Sequence, residues 1–279
     1  VWGRLSSLPI FQANEPQAGK PAPHQIPLNH RLWPYAPSAR ADRIFGRASV
    51  QTASLGGITM FVVSDEWIST YSDASAGILV MSGVTNQPSH PELNRIKTEL
   101  EDRLRNRFEN AARLRADRTI LAYKDYYKRF KKSYHVLQQL ESVMFKGKSI
   151  PVVSALVEAM FMAELEDMLL TAGHDVDALR LPVTLRVAHG DETYTRINGE
   201  EQVLKAGDMF MADIEGVISS VIYGPDRRSR ITPATRRVMF ATYAPPGIGK
   251  GEVLTHLQRI EANVRTFSPD AVVELIKAY

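Results

Sequence analysis

No cysteine occurs anywhere in the 279 residues, which excludes disulfides, thiolate zinc sites and a cysteine nucleophile. None of the seven histidines stands in an HExxH or His-x-His arrangement, so no protein-built metal site and no cofactor are expected. Long apolar runs are also missing: stretches such as 77–81 and 217–223 fall far short of the roughly 20 residues that cross a bilayer. The N-terminus lacks the basic region, apolar core and small-residue cleavage site of a secretion signal. These absences make the cytoplasm the expected location and leave no membrane partner. A phosphate-binding loop is absent too. Residues 244–251 lie where one would lie, but Ala244 stands in place of its first glycine and Gly251 in place of its magnesium-binding hydroxyl.

What is present is an apolar fraction of 44%, enough for one large core or two small ones. The formal net charge of +3 is unevenly spread. Arg4, Lys20, Arg31, Arg40, Arg43 and Arg47 stand against Glu15 and Asp42 in residues 1–59, a balance of +4 that leaves −1 for the remainder. The basic excess is therefore a property of the leader, not of the folded body. That leader is rich in proline and shows neither helical nor strand periodicity, so residues 1–59 read as disordered and residues 60–279 as a single domain. Gly56-Gly57-Ile58-Thr59-Met60 can be encoded by a ribosome-binding sequence two codons before an ATG, which makes Met60 the expected biological start.

Within the body, residues 77–84 read as a buried strand, and apolar residues every three or four positions in 91–108 predict a long helix. Further helical patterns cover 119–130, 134–144 and 152–170, with Gly173 as the C-cap of the last. From Pro182 the period becomes that of strands. Asn198-Gly199 signals a hairpin between 193–197 and 201–204. Strands are expected at 209–212, 217–223 and 237–243, and helices at 252–264 and 269–277. The class is α+β, a helical first half packed on a mostly antiparallel sheet.

Two basic clusters stand out. Residues 113–132 hold Lys124, Lys128, Arg129, Lys131 and Lys132 among eight basic residues, interleaved with Tyr123, Tyr126 and Tyr127. Such a mixture suits a phosphate backbone and stacked bases, and equally a solvated helical face. Arg227, Arg228, Arg230, Arg236 and Arg237 form the second cluster, placed to form the other wall of an anionic groove. His174, beside Asp175 and Asp177, is a candidate general base. The aspartates alone also fit a turn. His90, His189 and His256 read as surface residues.

The order of Gly173-His174-Asp175, a hairpin from Gly190 to Gly199, and Ala212-Asp213-Ile214-Glu215-Gly216 resembles the second half of a B3/B4 domain. Phenylalanyl-tRNA synthetase beta subunits carry this module for tRNA contact and proofreading. The resemblance spans about 61–246 and includes Lys132-Ser133-Tyr134, Gly207-Asp208 and Ile231-Thr232-Pro233-Ala234-Thr235. It is greatest to free-standing B3/B4 proteins, and no B5, anticodon-binding or aminoacylation segment is recognised, so full ligase activity is not expected. The resemblance implies a B3/B4-like fold, the tRNA acceptor end as partner, and hydrolysis of a mischarged aminoacyl ester in trans. It places the synthetase pocket's histidine at Ala172 and its glutamate at Ala241. It further implies catalysis by His174, substrate contacts from Ser154, Glu158, Ser219, Ser220, Tyr223, Thr242 and Tyr243, and an RNA contact from Tyr134. The alternatives are an RNA-binding module without hydrolysis and an amino-acid-type small-molecule binder.

Overall fold

A computed structural model describes residues 51–279, and residues 1–50 of the expected leader lie outside the described part. Strands β1 (Thr52–Leu55) and β2 (Ile58–Val63) pair antiparallel across Gly56 and Gly57, both at positive φ, as a two-residue hairpin turn requires. Composition assigns residues 52–59 to the leader, whereas the structure uses them in this hairpin. Of β1 only Ala53 is buried, too little apolar pattern for a periodicity reading to detect. Ser64 then caps α1 (Asp65–Thr70), accepting from the Trp67 amide, and β3 (Ser75–Ser82) follows as the expected buried strand.

The helices come next. Pro91 opens α2 (Pro91–Arg107), which turns Leu93, Leu100 and Leu104 inward. Short α3 (Ala111–Arg115) and α4 (Arg118–Arg129) are capped by Asn110 and Asp117, and α5 (His135–Lys146) ends at Gly147 in the left-handed region. Helix α6 (Ala155–Asp167) is buried almost all round, which makes it the central helix of the bundle.

Two expectations fail here. Helix α6 does not run to residue 170: Met168 takes φ 60 and the chain turns into a strand, β4 (Leu170–Asp175). Apolar residues at 168–170 suit either period, and pairing of β4 with a distant strand decides the matter. Gly173 is accordingly no helix cap. A Cβ there would come within 2.6 Å of Ile231 Cδ1 and 3.3 Å of Met160 Sδ, so the glycine permits close packing. At the C-terminus, the helix expected over 269–277 is instead β12 (Val272–Ala278), which pairs with the open edge of β3. Its β-branched residues suit that role once the edge is available.

Between these lie β5 (Val183–Val187), β6 (Thr193–Thr195), β7 (Glu201–Val203), β8 (Met209–Ala212), β9 (Val217–Ser220), β10 (Gly224–Pro225), β11 (Arg237–Ala244) and α7 (Lys250–Arg265). The strands form a six-stranded sheet, β1-β2-β5-β8-β9-β10, a four-stranded sheet, β12-β3-β11-β4, and the β6-β7 hairpin. All neighbours are antiparallel except β2 and β5. The fold is α+β, with helices grouped ahead of a mostly antiparallel strand region.

The four-stranded sheet has two distinct faces. On one, Gly77 admits Val253 and Leu257 of α7, Gly173 admits Met160 of α6, and Thr171 meets His256. On the other, Tyr243 reaches Ser219 of β9 in the six-stranded sheet. Residues alternate between the faces along each strand. Leu170, Ala172 and His174 of β4, opposite Tyr243, Ala241 and Met239 of β11, therefore face the second sheet.

Candidate functional site

The inter-sheet face gathers His174, Ala172, Ala241, Tyr243 and Ser219. His174 is fully buried, and its Nδ1 lies 2.7 Å from Ser229 Oγ. The Ser229 hydroxyl donates to Asp226 Oδ1, and the Ser229 amide reaches both Asp226 oxygens at 3.1 and 3.3 Å. His174 Nε2 is buried with no hydrogen-bond partner among the described residues. Burial, reinforced by the nearby Arg228 cation, pushes the imidazole pKa down to about 3. The ring is neutral at physiological pH and carries one basic nitrogen. Buried polar atoms normally find partners, so an orphaned ring nitrogen is a cost that calls for a reason.

Ser219 Oγ and the Tyr243 hydroxyl lie 2.5 Å apart on the same face. The other expected substrate residues are dispersed. Ser220 donates to Asp208 Oδ2 at 2.8 Å and accepts from the Tyr223 amide at 3.0 Å. Thr242 points to the α7 side, 3.1 Å from Thr171 Oγ1. Ser154 and Glu158 lie at the start of α6, where Glu158 forms a buried 2.6 Å ion pair with Lys97 and accepts from the Val153 amide at 2.8 Å. The sequence groups these seven residues into one pocket, and the structure brings only Ser219 and Tyr243 onto the face of His174. Strand parity explains the loss of Thr242, since neighbours in a strand point to opposite faces.

The tyrosines of α4 serve packing rather than base stacking. Tyr123 donates to the Tyr243 carbonyl, Tyr126 to Asp208 Oδ1 at 2.6 Å, and Tyr127 to the Val221 carbonyl at 2.7 Å. Tyr134 is buried as well, stacking on Tyr123 at 4.2 Å and donating to the Met168 carbonyl at 3.0 Å. All four are closed to a nucleic acid base. They fasten α4 and α5 to both sheets, and so orient the opposite face of α4 outward.

That outer face is basic. Lys124, Lys128, Arg129, Lys131 and Lys132 are all exposed. Lys124, Lys128 and Lys131 make no ion pair with any described residue. Arg129 lies over the Tyr71, Tyr126 and Phe130 rings at 5.4–5.5 Å. Lys132 sits 5.4 Å from the ring centre of half-buried Tyr223. Arg227 is exposed, while Arg228 is committed to Asp213 at 2.8 Å and Glu215 at 3.2 Å. The second wall thus keeps Arg227, Arg230 and Arg236 exposed, while Arg228 and Arg237 are committed to carboxylates.

His256, read from sequence as a surface residue, is fully buried. Its Nδ1 lies 2.9 Å from Asp167 and its Nε2 2.7 Å from Thr171 Oγ1. Nothing in the local sequence links these residues, which lie on α6, β4 and α7. Two surface grooves of ≈ 470 and ≈ 410 Å³ share Arg107 and Asp167, and no residue predicted from sequence to form the site lines either. Among the described residues no group of His, Asp or Glu is arranged to hold a metal ion, and no helix is long and apolar enough to cross a membrane.

The arrangement is that of an α+β domain with a basic helical face beside a two-sheet core that buries an unpaired imidazole nitrogen. Residues 122–253 match the family model of the B3/4 domain. It is similar to an N-terminal fragment of the phenylalanyl-tRNA synthetase beta-subunit from Pyrococcus horikoshii, at 11% identity and a TM-score of 0.41. The likeness covers 84% of this chain and 52% of that one, so the chain spans about half the length of that structure. Comparison with curated proteins gives no match.

Proposed function

We propose that this protein binds the acceptor end of tRNA in the cytoplasm and hydrolyses a mischarged aminoacyl ester in trans. The observation that carries this reading is His174 Nε2, a buried acceptor nitrogen without a partner on the inter-sheet face of a B3/4 domain. Water attacks the ester carbonyl while Nε2 takes its proton. The bond to the terminal ribose oxygen then breaks, and that oxygen leaves with the returned proton. The Ser219–Tyr243 hydroxyl pair lies on the same face, further along the ladder, where Tyr243 is opposite Leu170. The exposed lysines of α4 supply a surface for the phosphate backbone. His174 is sealed in this structure. The segment after β10 is held by the bridges His174–Arg230 and Arg196–Asp226 and by the bond from the Asp175 amide to the Ser229 carbonyl, and it has to shift for an ester to enter.

A second reading, an RNA-binding module without hydrolysis, is favoured by Ala172 and Ala241 standing where the resemblance places the pocket's histidine and glutamate. Deacylation assays over a panel of mischarged tRNAs, run beside salt-dependent tRNA binding, separate the two. Turnover on one or more members supports hydrolysis. Salt-sensitive binding without turnover supports the second reading, and absence of both removes tRNA as the partner.

A further inference from the structure

We infer that Asp226 and Ser229 are positioning residues that fix His174 as the Nδ1–H tautomer, leaving Nε2 as a permanent acceptor for a hydrogen-bond donor. The argument is a proton count. A serine hydroxyl has one proton and two lone pairs. Ser229 gives that proton to Asp226, whose carboxylate also collects the Ser229 amide. Burial raises the Asp226 carboxyl above its ordinary value, while the Ser229 hydroxyl and amide and Arg228 Nε, 3.8 Å from Oδ2, favour the ionised form. The Ser229 oxygen can then only accept from His174, and the 2.7 Å contact requires the ring proton on Nδ1. Since a neutral imidazole has one proton, Nε2 is bare.

The three residues come from separate places: His174 from near the end of β4, Asp226 directly after β10, and Ser229 from the following turn. The isolated bridge between His174 and Arg230 and the bond from the Asp175 amide to the Ser229 carbonyl, at 2.7 Å, hold that turn against β4. Ser229 is fully buried and Asp226 nearly so, so solvent does not compete for these bonds. A bare nitrogen in this setting excludes acceptor groups and takes donors, which are water or the ammonium group of an aminoacyl moiety. Use of this acceptor in ester hydrolysis rests on the function proposed above, whereas the tautomer does not.

The test is nitrogen-15 NMR of the histidine rings in the full chain, with His174 assigned through His174→Asn. At neutral pH the expected His174 spectrum shows a protonated Nδ1 and an unprotonated Nε2. A proton on Nε2, or on both nitrogens, overturns the inference. In Ser229→Ala, which removes one buried oxygen, proton occupancy is expected to move toward Nε2, and deacylation to fall at least about tenfold. An unchanged tautomer in folded Ser229→Ala overturns the positioning role. A shifted tautomer with unchanged deacylation upholds that role and counts against His174 as the base. A wild-type protein without deacylase activity but with the Nδ1–H ring likewise upholds the inference and counts against the hydrolase reading.

Discussion

Ala172 of β4 and Ala241 of β11 lie directly opposite one another in the ladder, and both are buried on the face that carries His174. Opposed residues in an antiparallel pair have side chains close enough to touch, so two alanines leave this patch with the smallest chiral side chains available. The positions where the family resemblance places the pocket's imidazole and carboxylate are therefore spatial partners. In this chain their place is taken by methyl groups, with the imidazole two residues along the strand.

The packing of that patch is measurable. Ala241→Leu adds three carbons to a fully buried position, and overpacking of this kind costs about 1–3 kcal/mol. Denaturant unfolding is expected to show a loss in that range. A neutral or stabilising result shows instead that space is available between the sheets at this point.

The Lys97–Glu158 pair is expected to matter for stability and not for catalysis. Both side chains are buried and the ion pair measures 2.6 Å. Lys97→Ala leaves a buried carboxylate with only the Val153 amide, a change worth about 3–5 kcal/mol. Unfolding measurements check the loss, and the rate of deacylation per folded molecule is expected to stay within about twofold of wild type, the scatter expected of a change remote from the reacting groups.

Glu164 sets a pH dependence of stability. It is fully buried, accepts only from the Thr171 amide at 2.6 Å, and burial pushes its carboxyl up to about 8 from an ordinary 4.5. Between these values the folded chain keeps a proton that the unfolded chain releases, so stability falls as pH rises through this window. His174 and His135, held down to about 3 and 4 by burial, oppose this trend until their unfolded rings, with an ordinary 6.5, have lost their protons by about pH 7.5. Asp208, pushed up to about 6 by burial, has largely completed its own change by the same pH. Thermal unfolding between about pH 7.5 and 8.5 thus isolates Glu164. Wild-type Tm is expected to fall across that range, and Glu164→Gln, which keeps an acceptor for Thr171, to flatten the slope.

The outer face of α4 predicts the pattern of nucleic acid binding. Lys124→Glu, Lys128→Glu and Lys131→Glu are each expected to weaken tRNA binding, and each to reduce the slope of log affinity against log salt by about 1. Stability should change by less than about 0.5 kcal/mol, because the side chains are exposed. Arg228→Ala is expected to do the reverse, lowering stability through loss of its bonds to Asp213 and Glu215 while sparing the salt slope.

Much of the fold was legible because its signals are local. The helical period over 91–108 and the Asn198-Gly199 turn marked a helix and a hairpin, and the run at 77–84 marked a buried strand. What escaped depends on distant partners. Residues 170–175 and 272–278 became strands because β11 and β3 offered them edges, a fact absent from their own periodicity. The candidate site was less legible than the fold. His174 was visible as a histidine beside carboxylates, yet its working partners are Ser229 and Asp226, more than fifty positions away, not Asp175 or Asp177. The tyrosines of α4 had the spacing of a buried stripe as well as the chemistry of a stacking platform, and burial decided for the stripe.

The most direct test of the hydrolase reading compares wild type with His174→Asn on mischarged tRNAs under single-turnover conditions. Asparagine keeps an N–H for Ser229 and a similar buried volume, but has no basic nitrogen. The account predicts that wild type cleaves at least one ester in the panel, and that His174→Asn slows this by about 10²–10⁴-fold with tRNA affinity unchanged. Equal rates in the two proteins, or no cleavage of any member by wild type, would contradict it.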